Sequence, residues 1–323
     1  MLDRFPIDAG DFDGPVLVTG AGGCIGAWTL ALLSHNRVPA VAFDLSADKR
    51  RPGLLIADDA LAAIPWRIGD IADTDAVIGA VADHGVRAIV HLAALQVPFC
   101  IADPVAGARA NVVGTVNVLE AARRHGLRRV AYASSIAAHG LLGGDRWLAT
   151  LYGAYKLCDE MIARVYAQDW GVPSVGLRPG VVAGVGRDQG LTSKTTQAIL
   201  AAAAGRPYEV PFTGPVSFLH AGEIAWTFIA AVSAERNGAP VFDVNGRATT
   251  VVDILSAIRA LAPDARLTSS GAPLPFPADL SDAPVRAFLG ASAPVSLADG
   301  VGETFRAFRA LLQSGKLSAD AIA

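Results

Sequence analysis

The chain has 323 residues, 52% of them apolar, and a formal net charge of −3. That length supports one large domain or two unequal ones, yet no apolar run approaches the ~18 residues that a membrane span needs. The balanced charge without a basic block argues against a nucleic-acid partner; three scattered cysteines, Cys24, Cys100 and Cys158, argue against a disulfide framework or a metal site and suit a reducing compartment.

In chain order, the acidic opening MLDRFPIDAGDFDG has no apolar core segment, so no signal peptide is expected and a cytoplasmic location is. Residues 15–19 read as a buried strand, 27–35 as a helix, and 38–43 as a second strand ending at Asp44. A third strand is expected at 66–68, then a helix over 73–84 with Thr74 as its cap, and a fourth strand at 86–92. A long 3.6-residue period predicts a helix over 104–125. A fifth strand at 130–133 ends at Ser134-Ser135, followed by a helix over 152–170 and a sixth strand at 174–177. Strands alternating with helices predict βαβ units, hence a doubly wound parallel sheet. After Pro179 the rhythm changes. APVFDVNG reads as one more strand, and TTVVDILSAIRAL as a helix with Thr250 at its N-cap and Asp253 in its first turn.

Between the first strand and first helix lies TGAGGCIG, residues 19–26, with Gly20, Gly23 and Gly26 spaced G-x-x-G-x-x-G. Gly20 opens a tight turn, Gly23 lets the backbone approach a pyrophosphate, and Gly26 lets helix and strand pack closely. The helix N-terminus, with Cys24 and Ile25, then offers unpaired N–H groups to phosphate. A glycine-rich turn also serves packing alone, but Asp44 stands 18 positions beyond Gly26, where the second strand ends. An aspartate there accepts hydrogen bonds from an adenosine ribose diol and repels a 2′-phosphate, so NAD is expected ahead of NADP. Arg50 and Arg51 keep NADP open. Within this pattern Cys24 reads as a small filler residue.

Further along, Tyr152 and Lys156 stand at i and i+4 and share one helix face. A phenol is a poor base at neutral pH unless a neighbouring ammonium favours its phenolate. With a serine hydroxyl at the end of the fifth strand, the pair becomes a constellation able to hold an alcohol or carbonyl and move its proton.

These residues, together with GDI (69–71), HLAA (91–94), NVVGTVNVLEAA (111–122), AYASSIAAHG (131–140), YGAYK (152–156) and LRPGVVAGVG (177–186), resemble an extended short-chain dehydrogenase/reductase of the NAD-dependent epimerase/dehydratase family. The resemblance implies an α/β Rossmann-type fold with a smaller C-terminal substrate-binding lobe. It implies a cofactor domain over 1–180 and about 216–249, and a substrate lobe over 181–215 and 250–323. It assigns Tyr152 as acid/base, Lys156 to the nicotinamide ribose, Ser135 as the catalytic hydroxyl with Ser134 second, and Asn111 as a residue at the cofactor crevice. Asp70 and Ile71 match the pair beside the adenine, and Leu92, Ala93 and Ala94 the stretch against which the cofactor lies. The resemblance also implies a homodimer joined through helices 104–125 and 152–170.

The chain departs from the family pattern at several positions. Ile136 and Ala137 replace the Asp-Glu pair of the dehydratases, which argues against water elimination. Val216 stands where nucleotide-sugar enzymes carry an arginine for the diphosphate, although Arg206 or Arg286 could substitute. His139 and Ala183 replace two tyrosines, and the 17 residues from Ser135 to Tyr152 leave a shorter loop over the site. His139, His220, Arg187 and Thr192 are the candidate substrate contacts, each with a structural alternative. Three readings stand: an NAD-dependent oxidoreductase acting on a secondary alcohol of a small sugar, sugar acid or polyol; an NAD-dependent sugar or nucleotide-sugar epimerase; and a non-catalytic NAD-binding sensor.

Overall fold

A computed structural model describes residues 1–140, 150–291 and 293–321. The shortened loop expected between Ser135 and Tyr152 falls mostly in 141–149, outside the described residues. Six strands alternate with helices in the first half: β1 (Val16–Thr19), β2 (Ala40–Asp44), β3 (Trp66–Ile68), β4 (Ala88–His91), β5 (Val130–Ala133) and β6 (Val175–Pro179). Six follow: β7 (Val182–Ala183), β8 (Tyr208–Val210), β9 (Pro215–His220), β10 (Val241–Val244), β11 (Arg247–Thr250) and β12 (Leu267–Ser269).

The main sheet has seven strands in the order β10-β6-β5-β4-β1-β2-β3, every pair parallel. β1 and β4 are buried along their whole length, as expected of strands covered on both faces. Alternate side chains enter different cores: Val16 and Val18 join one with Trp28, Leu17 the other with Phe43 and Val118. The chain leaves β1 toward β2 on one side and returns as β4 on the other. That reversal opens a crevice beyond the carboxyl ends of β1 and β4, where Thr19 is in register with His91.

The helix Cys24–His35 packs against Ala221–Val232 on one face; Thr74–Asp83 and Gly114–His125 pack together on the other, beside Leu151–Trp170. Two details differ from the sequence reading. Asp73, not Thr74, caps its helix, accepting from Asp75 N and Ala76 N, while the Thr74 hydroxyl donates to Asn117 Oδ1 at 2.8 Å. The expected continuous helix over 104–125 is interrupted by a π-helical turn, Arg109–Val113, between Pro104–Ala108 and Gly114–His125. Asn111 lies in that turn, and its amide donates to Gly107 O at 2.9 Å and across to Leu95 O at 3.1 Å.

Beyond β6, β7, β9 and β11 form a three-stranded sheet, and β8 pairs with β12. The chain returns to the main sheet at β10, beside β6. Helices Lys194–Ala203, Val251–Leu261 and Leu297–Gln313 pack on one another in this part of the chain. The expected cap at Thr250 is a full capping box with Asp253.

Candidate active site

The glycine loop occupies the carboxyl end of β1. Gly20 has φ +67°, and a Cβ there would stand 2.7 Å from Ala93 N. A Cβ on Gly26 would lie 2.2 Å from Gly20 O, so only glycine lets the helix start this close to the turn. At Gly23 a Cβ would meet only Gly20 O, at 3.1 Å, and otherwise point into open space. Gly23 is also the N-cap of Cys24–His35 and gives it no side-chain cap, which leaves the first N–H groups for an anion. The Asp44 carboxylate accepts from Gly22 N at 2.9 Å, bringing the end of β2 to the rim of this cradle. These features fit a dinucleotide: phosphates at the helix N-terminus, adenosine ribose at Asp44, and a flat path past Leu92, Ala93 and Ala94. Exposed Asp70 and buried Ile71 follow β3, on the same rim of the sheet as Asp44.

The Thr19 side chain anchors the other wall. Its oxygen accepts from Leu92 N at 3.1 Å and Ala93 N at 3.2 Å, and lies 2.7 Å from His91 Nδ1. With two donors already on that oxygen, its own proton goes to Nδ1, which assigns the Nε2–H tautomer to His91. Nε2 then donates to Thr115 Oγ1 at 3.3 Å, and Thr115 donates to Asn111 O at 2.7 Å. Burial, reinforced by the Lys156 charge, pushes the His91 pKa down to about 3, so the ring stays neutral. Asn111, matched on sequence to a residue at the cofactor crevice, is fully buried. Its Nδ2 holds the Leu95 carbonyl and so shapes the loop beyond Ala94, while its Oδ1 is buried with no hydrogen-bond partner among the described residues.

Tyr152 opens the helix Leu151–Trp170, which Thr150 caps. A Cβ on Gly153 would stand 2.4 Å from Ala137 O, so this glycine lets the helix start press against the turn that begins at Ser135. Lys156 Nζ lies 5.9 Å from the centroid of the Tyr152 ring and 3.2 Å from Asp159 Oδ2. Burial works against the lysine charge, but Asp159 and Tyr152 outweigh it and hold its pKa above the ordinary value. Burial in turn raises the Asp159 carboxyl, against the pull of Lys156.

The two serines part company here. Ser134 is buried and donates to Glu160 Oε1 at 2.5 Å, so its hydroxyl is committed to the scaffold. Ser135 is partly exposed and, among the described residues, its hydroxyl oxygen accepts from Ala137 N at 3.2 Å and its proton meets no acceptor, which leaves it able to reach a substrate. Glu160 also receives Arg178, Nε at 2.7 Å and Nη2 at 2.6 Å. His139 Nε2 meets Asp243 Oδ1 at 2.6 Å and Arg178 Nη1 at 3.3 Å, which makes it part of a network across β6 and β10. Sequence reasoning missed Asp159 and Glu160; the signal was two acids at i+3 and i+4 from Lys156, on a helix facing the sheet.

Arg187 donates from Nη2 to Thr192 Oγ1 at 2.8 Å. Next to it, part of Cys24 reaches the surface but its thiol is enclosed, and burial pushes it up to about 12 against the pull of Arg187. That suits a filler and not a nucleophile. His220 is corrected from candidate substrate contact to core residue: it is fully buried, stacks 6.0 Å from Phe5, and accepts from Gly222 N through Nδ1. Burial pushes its pKa down to about 3. Among the described residues no group of three or more His, Cys, Asp or Glu side chains converges as a metal site, and no helix is long and apolar enough to cross a membrane.

Cradle, strand-end acid and Tyr–Lys helix define an enzyme of the extended short-chain dehydrogenase/reductase class, built around a nicotinamide dinucleotide. The family model described as "NAD dependent epimerase/dehydratase family" matches residues 16–245, and the chain belongs to that family. A UDP-glucose 4-epimerase of Azospirillum brasilense is 29% identical over 275 residues, covering 76% of this chain and 77% of that protein. The fold matches a crystal structure of Thermus thermophilus UDP-glucose 4-epimerase complexed with NAD, with TM-score 0.76 and 24% identity over 91% of this chain and 99% of that one. It also matches L-threonine dehydrogenase from Clostridium difficile, with TM-score 0.79 and 18% identity over 94% and 99%.

Proposed function

We propose that this protein is an NAD-dependent oxidoreductase that transfers hydride at a secondary alcohol of a small sugar, sugar acid or polyol, with Tyr152 as acid/base. The observation that carries the reading is the buried, charged Lys156 beneath the Tyr152 ring, on a helix pressed against the Ser135 turn. Bound NAD supplies the hydride acceptor. Ser135 holds the substrate hydroxyl, Tyr152 removes its proton, and the Lys156 charge lowers the cost of the phenolate. Ile136 and Ala137 are buried and apolar, so neither of these two positions after Ser135 supplies an acid for water elimination.

Val216 is an apolar residue buried in β9, which supports a substrate without a nucleotide diphosphate. Asp44 supports NAD over NADP. Arg51, one of two arginines that could hold a 2′-phosphate, grips the Asp188 carboxylate at 2.8–3.1 Å and Gly22 O at 3.0 Å; Arg50 pairs with Asp48 at the surface. The reading includes a cytoplasmic homodimer, with residues 181–215 and 250–323 as the substrate lobe.

A second reading, a sugar epimerase, draws support from Arg51, in the short helix Arg50–Gly53 after β2, which joins Gly22 O of the glycine loop to Asp188 of the loop after β7 and would help retain a bound cofactor through both half-reactions. A panel of free sugars, sugar acids, polyols and UDP-sugars with NAD separates the two. The oxidoreductase accumulates NADH at 340 nm; the epimerase inverts a sugar with none. In either case Tyr152→Phe loses about 10²- to 10⁴-fold in turnover while NADH still binds, and retained activity sinks the assignment.

A further inference from the structure

We propose that Arg187, with Thr192 and Gln96, forms a carboxylate subsite beside Tyr152, so that the substrate is a small hydroxy acid held by its carboxylate. This rests on the redox reading above and narrows it. Arg187 is partly exposed, but its Nε is buried and has no hydrogen-bond partner among the described residues, and Nη2 meets a neutral hydroxyl, that of Thr192. A guanidinium stays protonated in a protein, and a buried charge is costly without an opposite one. Among the described residues no carboxylate lies within ion-pair distance of it, and the adjacent Asp188 is gripped by Arg51. Two residues before Arg187, the Val185 carbonyl accepts from Trp28 Nε1 at 2.9 Å and Cys24 Sγ at 3.8 Å, which seats this loop against the helix of the cofactor cradle; burial lowers the Arg187 pKa, while Cys24, Tyr152 and Asp188 work to raise it.

The surrounding geometry is built around this group. Gly190 has φ +87°, and a Cβ on it would stand 2.8 Å from Gln96 Oε1 and 3.6 Å from Arg187 Nη2. The glycine therefore lets Gln96, from the loop after β4, and Arg187, from the loop after β7, approach each other. An Nε and Nη pair is the edge that takes both oxygens of a carboxylate, and Thr192 keeps a hydroxyl proton to donate. With the carboxylate there, the carbinol carbon gives up its hydrogen as hydride to the oxidised nicotinamide. Its hydroxyl proton passes to the Tyr152 phenolate and on to solvent, leaving a keto acid and the reduced cofactor. The cofactor pyrophosphate shares the anion chemistry, but the uncapped helix N-terminus already supplies its donors.

The test compares gluconate, galactonate and threonate with glucitol, galactitol and threitol, in wild type, Arg187→Gln, Arg187→Lys and the milder Thr192→Val. NADH affinity is followed in parallel by fluorescence. Expected are a preference for acids over matched polyols and, in Arg187→Gln, a KM for the acid raised about 10- to 100-fold, with part of the loss restored by lysine and NADH affinity within about twofold of wild type. Thr192→Val moves KM in the same direction. Equal use of polyols with no effect of Arg187→Gln overturns the subsite and leaves the redox reading standing. Lost NADH affinity with an unchanged KM assigns the anion to the pyrophosphate and also overturns it. If no acid is oxidised, calorimetry of the NADH complex with the same acids decides: no binding up to about 10 mM overturns the subsite, whereas Arg187-dependent binding without turnover of any alcohol keeps it and sinks the redox reading.

Discussion

Lys156 Nζ stands 3.2 Å from Asp159 Oδ2, one helical turn away, with the two side chains 2% and 0% exposed. The pair places a positive charge under the Tyr152 ring at a position where burial alone would favour a neutral amine. Asp159→Asn strands that charge, and urea unfolding at pH 8 is expected to show a loss of about 3–5 kcal/mol. Adding Lys156→Met to Asp159→Asn recovers much of it; no recovery would mean that the carboxylate acts through another partner.

The Asp44 carboxylate, proposed to read the adenosine ribose, is tied to the glycine loop by Gly22 N at 2.9 Å. Asp44→Ala is expected to weaken NAD about tenfold and to raise the NADP/NAD ratio of kcat/KM, because both the ribose acceptor and the repulsion of a 2′-phosphate disappear. Steady-state kinetics with both cofactors check this; an unchanged ratio assigns selectivity to another residue.

The helices expected at a dimer interface keep apolar side chains in solvent. Val105 is 70% exposed, Val113 41%, Met161 49% and Val165 46%. Sedimentation velocity should find a dimer for the wild type and a monomer for Val165→Glu, whose charge would be buried without a partner. A wild-type monomer at micromolar concentration excludes this interface.

Glu223 is buried and receives Val295 N at 3.0 Å, and burial raises its pKa from 4.5 to about 7. Between those values the native carboxyl holds a proton that the unfolded one has released. Its contribution is therefore present below pH 4.5 and lost as pH rises through about 7, by about 3 kcal/mol. Glu223→Gln removes the titration, so the stability of the variant relative to wild type should climb across that window. A flat difference by chemical denaturation refutes the assignment.

Much of the fold was legible because the β-strands are short apolar runs between turn residues, and because three glycines stand where a Cβ would strike backbone or the cofactor path. The interrupted 104–125 helix was not legible: the π turn keeps the chain helical, and its buried position is the polar Asn111, held by side-chain bonds to Gly107 O and Leu95 O that no local pattern announces. Thr74 and Asp73 are both good caps, and the tertiary bond from the Thr74 hydroxyl to Asn117 leaves the capping to Asp73. Likewise, His139 and His220 are chemically equal in a sequence; packing sent one to an ion-pair network and the other into the core.

The class of chemistry is written in local patterns: a glycine cradle, a strand-end aspartate and a Tyr–Lys helix face are each set by spacing over a few residues. Folding alone decided which serine is committed to a buried carboxylate, where the lysine finds its counter-charge, and which arginines keep an unpartnered Nε among the described residues. Those outcomes depend on burial and on partners far away in the chain, such as Glu160 for Ser134 and Asp188 for Arg51, and desolvation acts on a group only once the fold has closed around it.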